Sequence, residues 1–454
     1  MLTRIASCGL AALLLFACAS CFPGAPPQAR PEIPAEAQGT LYPVKVNGKW
    51  GYINRAGKVV VEPQFDAALD FQEGLGAFNV GGGRVTQNTR GFSETSFEGG
   101  KWGFVDASGK TVIEPQFDGA WYFSEGLALV QSNGPESLLG HRRYGYIDRT
   151  GRLVIPAKFT LAYNFSEGLA AIRINEPKAD EGWREAWGFI DKSGKLVIEA
   201  KYTQARSFSE GLAAVYTRQE QIEYLDHIGK TVCVACGPDG KPLKAKRLDS
   251  PSSFFEDEAY EFHEGLARFA VGNRMAEPDP RHKSTSKYYR YTCACGPSGF
   301  LDRSGRVAIA PRFGTAQDFH EGLASVHSEG QPGYIDKTGK VVIPAQLGIA
   351  WDFSEGLAPV PLKERERNPS GEETGWHETL YGYINHSGEV VIEPQFSRAT
   401  GFKDGVAKVE IYGEPENLGA GHADLMKAMI KAITENARVG YIDRMGKYIW
   451  EPSK

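Results

Sequence analysis

The sequence predicts an all-β fold of about nine tandem three-stranded antiparallel meanders, and three observations carry that expectation. A glycine followed by an aromatic residue recurs at Gly51, Gly103, Gly145, Gly188, Gly299, Gly333 and Gly382. A second glycine, in an F-x-E/D-G-Φ-A setting, follows each of them 23 residues later, at Gly74, Gly126, Gly168, Gly211, Gly322, Gly356 and Gly405. A fixed offset carried through varied residues is the mark of a repeat array, which offers an extended surface rather than one catalytic pocket. The third observation is composition: β-branched and aromatic residues fill the short segments between turn residues, as a half-buried pleated surface prefers.

Each unit holds three strand candidates, G-Y-I, V-V-I and L-A-x-V; Trp102 to Phe117 (WGFVDASGKTVIEPQF) is a nearly complete copy of the first two and their turn. A D-x-x-G turn joins them, opened by Asp106, Asp148, Asp191, Asp302, Asp336 and Asp443, with Asn54 and Asn385 in the same role. An Asx side chain accepts hydrogen bonds from the turn backbone and the glycine tolerates positive φ, so turn formation outweighs metal binding for these residues. Pro63, Pro115, Pro156, Pro311, Pro344 and Pro394 lack an N–H and are expected to end the second strand. Phe71, Phe123, Phe165, Phe208, Phe262, Phe319 and Phe353 are expected to plug the core between neighbouring units. Small residues such as Ala68, Ala120 and Ala162 would let segments approach closely. Glu73, Glu125, Glu167, Glu210, Glu264, Glu321 and Glu355 recur before the second glycine, and a carboxylate repeated in every unit reads as structural rather than as seven active sites.

Trp50-Gly51, Trp102-Gly103 and Trp187-Gly188, with their G-K-x-V-I-E-P-Q-F and F-S-E-G-L-A continuations, resemble the WG repeat family of bacterial proteins. The resemblance covers residues 41 to 454, with Tyr144, Pro332 and Tyr381 standing where the tryptophan is replaced. It implies a β-rich tandem array, common in exported or envelope proteins, with a binding role and no catalytic residues to carry over.

Residues 1–21 read as a signal peptide: Arg4, an apolar run from Ile5 to Phe16, then small residues, too short a core to span a bilayer. Leu15-Phe16-Ala17-Cys18 resembles a lipobox, making Cys18 the lipidation candidate, with Cys21 as the alternative. Ala17-x-Ala19 also permits ordinary cleavage, which would give a soluble periplasmic or secreted protein. The Pro- and Ala-rich residues 22–40 read as a semi-extended tether, and residues 41–454 as the repeat array. A formal charge of −5 over 454 residues argues against nucleic-acid binding.

Most length variation falls between the L-A-x-V strand and the next G-Y-I strand, so the insertions should emerge from one edge of the array. Residues 81–100 read as a Gly/Ser/Thr-rich loop, 363–379 as a charged loop carrying Trp376, and 422–436 as a short amphipathic helix. The unit spanning about 223–298 is irregular and holds Cys233, Cys236, Cys293 and Cys295. In an exported protein these are disulfide candidates, with zinc as the lesser reading, since paired thiolates suit a tetrahedral ion. No cofactor is otherwise expected.

For the array as a whole the expectation is an open, superhelical solenoid. The alternative is a propeller-like ring closed by a mixed blade of both chain ends, disfavoured because nine blades exceed the usual range and 34 residues are few for four strands. The function expected is a non-enzymatic, lipid-anchored envelope scaffold that binds another envelope protein through its variable loops. The alternative is glycan binding on Trp121, Trp183, Trp351 and Trp376 as stacking platforms.

Overall fold

The computed structural model describes residues 39–89, 92–132, 143–177, 183–244, 257–272, 274–275, 293–294, 296–328, 331–344, 351–366, 377–412 and 437–452. They form nine small antiparallel sheets, the blades of a β-propeller: 1 (42–65), 2 (67–117), 3 (119–159), 4 (161–202), 5 (204–234), 6 (258–313), 7 (315–343), 8 (358–396) and 9 (398–450). Seven blades have four strands in sequence order, blades 1 and 8 show three, and an extra two-stranded hairpin stands within the insertion of blade 6. No α-helix occurs among the described residues, and the helix expected at 422–436 lies outside them.

The expected open array is a closed ring. Blade 9 seats directly on blade 1: the Tyr441 hydroxyl donates to the Pro43 carbonyl at 2.7 Å, across 398 residues of sequence. Tyr42 and Tyr441 meet with ring centroids 5.5 Å apart, inside a core shared by Val44, Ile53, Val406 and Val439. The chain ends do not share a mixed blade either, since strand Tyr42–Val46 pairs within blade 1 and Tyr448–Trp450 within blade 9. Side-chain packing, rather than a shared sheet, closes the ring.

Seven of the nine units also have one strand more than the sequence predicts. The additional first strand is minimal, as in Ala67–Ala68, Leu161–Ala162, Gln204–Ala205 and Thr315–Ala316, which is how 34 residues suffice for four. Its buried alanines are the small residues expected to permit close approach. Five of the six predicted prolines do not end their strands, as where Val59–Phe65, Thr111–Phe117 and Val390–Phe396 run through Pro63, Pro115 and Pro394, whereas Val341–Ile343 does stop before Pro344. Each strand that runs through is an edge strand that bulges at the proline, where no ladder N–H is needed; Trp102 pairs with Phe117 but Phe104 already with Ile113.

That bulge explains the first glycine at Gly51, Gly103, Gly145, Gly188, Gly299 and Gly382. A Cβ on Gly103 would stand 2.5 Å from the Ile113 carbonyl oxygen and 2.8 Å from the Pro115 nitrogen. Blade 5 supplies the converse. Its third strand, Ile222–Leu225, carries Glu223 at the glycine position, and its fourth, Thr231–Val234, pairs Glu223 with Val234 without the bulge. The unit that looked degenerate is a regular blade that lost glycine and bulge together.

Between blades the core is aromatic. Phe71, Phe123, Phe165, Phe208, Phe262, Phe319, Phe353 and Phe402 are all buried, each against the third-strand Tyr or Phe of the preceding position, as with Phe104 and Phe123 at 5.0 Å. Where that residue is tyrosine its hydroxyl crosses to the next blade's backbone: Tyr52 to Leu69, Tyr146 to Tyr163, Tyr334 to Trp351 and Tyr383 to Thr400, at 3.0, 2.6, 2.6 and 2.8 Å. Burial pushes these phenols well above their usual range.

Candidate functional site

The two turn types predicted from sequence share one face of the ring. In an up-and-down blade the first and third turns lie at one end, and the second turn and the blade-to-blade connection at the other. The third turn is the D-x-x-G turn. Asp106 Oδ1 accepts from the Ser108 and Lys110 amides at 2.9 and 3.0 Å and from the Ser108 hydroxyl. Asp148, Asp191, Asp302 and Asp336 repeat this pattern, and Asn54 and Asn385 keep its backbone part.

Hydrogen bonds from the neighbouring hydroxyl and amides hold the carboxyls of Asp106, Asp148, Asp191 and Asp336 below the usual range, and the Lys49 ammonium does the same for Asp66. A depressed carboxyl contributes stability above its unfolded value near 3.9, and that contribution fades as pH falls through the lower folded value. The midpoint of urea unfolding should therefore decline below about pH 4. Asp106→Asn should keep the turn, as Asn54 and Asn385 do, while weakening that acid dependence.

The first turn is the E-G turn, and its glutamate does more than the sequence reveals. Glu73, Glu125, Glu167, Glu210, Glu264, Glu321 and Glu355 all have φ between 51° and 54°, each followed by a glycine of positive φ. Positive φ at both central residues is what a two-residue type I′ hairpin requires, and for glutamate it is a strained choice. The side chain offsets that strain by crossing to the next blade. Glu73 accepts from the Glu125 and Gly126 amides at 2.6 and 3.0 Å. Glu125, Glu167, Glu210, Glu264, Glu321 and Glu355 accept likewise from Gly168, Gly211, Gly265, Gly322, Gly356 and Gly405.

A basic side chain, Lys, Arg or His, from the D-x-x-G turn of the following blade joins most of these seams. Arg149, Lys192, His227, Arg303, Lys337 and His386 lie 3.8, 3.0, 3.0, 3.5, 3.1 and 3.2 Å from the same glutamates, and Arg444 donates to the Glu355 carbonyl. Exposed pairs of this kind contribute little individually. Their effect is registration of blade on blade. The glutamates are structural, as their repetition implies, and their partners lie too far along the chain for sequence to reveal.

Toward the axis, groups two blades apart share one space. Asp352 of blade 8 lies in the field of His320 and Asp318 of blade 7 and of Arg268 and His263 of blade 6. Its Oδ1 is buried with no hydrogen-bond partner among the described residues, and burial pushes its carboxyl up, with His320 at 3.6 Å pulling it back. Arg206 and Arg268 both stack on the Tyr260 ring, at 4.2 and 3.8 Å from its centroid. These contacts form an interlocked charge network rather than a nucleophile with a base.

The opposite face carries the insertions, as the spacing predicts. Residues 81–100 are not a loop but a two-stranded extension, Leu75–Thr89 against Phe92–Asp106, paired out to Thr89 and Phe92. Val85, Thr86, Thr89, Phe92, Thr95 and Phe97 favour strand over coil there. Its base is fixed by buried Asn79, whose Oδ1 accepts from the Gly82 amide at 3.1 Å, and by Asp66, which accepts from the Gly81 amide at 2.7 Å. Part of the 363–379 segment is likewise extended, Lys363 to Glu366 pairing with Leu380 to His377, whereas Trp376 lies outside the described residues.

Of the other expected aromatics, Trp121 is half-buried against Tyr144 at 5.6 Å, and Trp183 pairs through its backbone with Pro177. Trp351 is 45% exposed, alongside Tyr122 at 45% and Tyr163 at 38%, two exposed aromatics that sequence reading missed. Cys233 and Cys236 are half-buried free thiols packed on the Asp302–Gly305 turn, the Cys236 amide donating to the Gly305 carbonyl at 2.9 Å. Burial pushes the Cys233 thiol up to about 11, with Asp302 and Cys236 adding to it. The Cys293 backbone pairs with Met275, while Cys295, Cys18 and Cys21 lie outside the described residues.

The sequence matches the family described as WG containing repeat over residues 50–83, 102–134, 144–176, 187–218, 299–330, 333–360 and 381–414. No curated protein matches the chain. Solved structures similar to it include BamB from Moraxella catarrhalis, at 11% identity and a TM-score of 0.35, covering 70% of this chain and 90% of that one. A eukaryotic initiation factor is similar at 9% and 0.38 over 90% and 94%, and apo AztD from Citrobacter koseri at 11% and 0.32 over 90% and 92%. Scores this low carry no weight for function. The seven family matches each begin on the third strand of one blade and run through the second strand of the next, so the repeat in sequence straddles two blades. Seven copies spaced around the ring, each with its glycines and turns in place, make the chain a member of the WG containing repeat family.

Proposed function

We propose that this propeller is a non-enzymatic binding platform of the bacterial cell envelope that engages another envelope protein through its insertion face. One observation carries the reading: the blades are near copies of one another, and their large length differences are confined to one face. Variation on one face of a repeated scaffold marks the side that meets a partner. Export through the signal-like residues 1–21, lipidation at Cys18 and a stand-off along residues 22–40 complete the proposal.

The test is in-cell crosslinking with mass spectrometry, comparing the full chain with a variant whose 81–100 and 363–379 segments are shortened to tight turns. Capture of a defined envelope protein by the first and its loss from the second supports the platform. Capture of wall or surface polysaccharide alone, by both chains, overturns it in favour of glycan binding.

A further inference from the structure

Seven seams of the ring, from blade 2 onto blade 3 through blade 8 onto blade 9, are tied by a glutamate that caps the next blade's E-G turn. The seam from blade 1 onto blade 2 lacks the device. Val44 pairs with Gly51 as Phe78 pairs with Gly103, so Leu41 corresponds to Leu75 and the glutamate position falls on Gly39. The cation position of blade 2, occupied by Arg149 in blade 3, falls on Ala107. A Cβ on Gly39 would meet the Ala107 Cβ at 3.5 Å, which places the two small residues together where the other seams hold a carboxylate and its cation.

The receiving turn of blade 2 is nevertheless built like the others. Glu73 and Gly74 have φ of 51° and 77°, both are exposed, and no described residue accepts from the Gly74 amide. Successive amides in such a turn form an anion-binding concavity, and hydrogen bonds to an ionised acceptor are the stronger kind. The other seven seams show which anion this turn takes. We propose that the Glu73–Gly74 turn is a carboxylate-binding notch that accepts an Asp or Glu side chain of a protein partner. Naming a protein as the source rests on the platform reading above, extended to a second contact on the face opposite the insertions; the notch itself does not.

The test is an amide-resolved NMR titration of the full chain with N-acetylglutamate methylamide, on wild type, Gly39→Glu and Ala107→Arg. The Gly74 amide should shift saturably in wild type, at least about tenfold more weakly in Gly39→Glu, where a built-in carboxylate competes, and severalfold more tightly in Ala107→Arg. The Gly126 amide, already capped by Glu73, should stay still. Absence of a saturable Gly74 shift, or equal affinity in wild type and Ala107→Arg, overturns the notch; the second comparison stands even if Gly39→Glu does not fold. Capture of a partner in cells by a chain whose Gly74 ignores the probe would leave the platform and remove the notch, and the reverse result would do the opposite.

Discussion

Gly103→Ala should destabilise the propeller by about 3 kcal/mol, read as a lower urea midpoint at unchanged slope. The reason is steric and specific. The added methyl would meet the Ile113 carbonyl oxygen at 2.5 Å, the Glu114 carbonyl carbon at 3.0 Å and the Pro115 nitrogen at 2.8 Å, all backbone atoms of a bulge that cannot rotate aside. Either the bulge flattens, displacing Phe117 from the core, or the fourth strand withdraws from the third. Gly83→Ala is the control, because a Cβ there meets nothing within 4 Å, and its effect should stay within about 0.5 kcal/mol. Equal losses at the two positions would refute the close-approach account and leave only a general preference for glycine.

Phe123→Ala should cost about 4 kcal/mol. The ring is 1% exposed, stands edge-on to Phe104 at 5.0 Å, and carries the Arg149 guanidinium 5.7 Å from its centroid. Truncation leaves a cavity in the seam between blades 2 and 3 that neither sheet can close, because Glu73 and the Gly126 amide hold the blades in register beside it. Tyr122→Ala, one residue away and 45% exposed at the start, should change stability by less than about 0.5 kcal/mol. A small loss for Phe123→Ala would mean that the blades slide together freely and that the polar links do not set their spacing.

The two glycines of each unit illustrate how differently sequence positions can be read. Gly126 has φ of 85° and open space around it, a turn requirement that the F-x-E-G-L-A setting already announces. Gly103 has ordinary dihedrals and is needed only because another strand crosses it, a fact legible after the bulge at Pro115 is seen. The glutamates fall between these cases. Their repetition indicates a structural role, but a donor amide 35 to 58 residues away leaves no local trace. Tyr122, Tyr163 and the uncapped state of the Glu73–Gly74 turn among the described residues escaped notice for a related reason: exposure and capping are set by neighbours, not by the residue itself.

By itself the sequence determined most of the unit: three of its strands, the Asx turn, the aromatic plug, and the confinement of insertions to one edge, because each follows from interactions within a few tens of residues. The tertiary structure decided the rest. Whether nine such units open into a superhelix or close into a ring depends on a small rotation per blade, accumulated until Tyr441 either meets Pro43 or passes it. Such an angle is set by how side chains interlock across every seam at once, and no single repeat contains it.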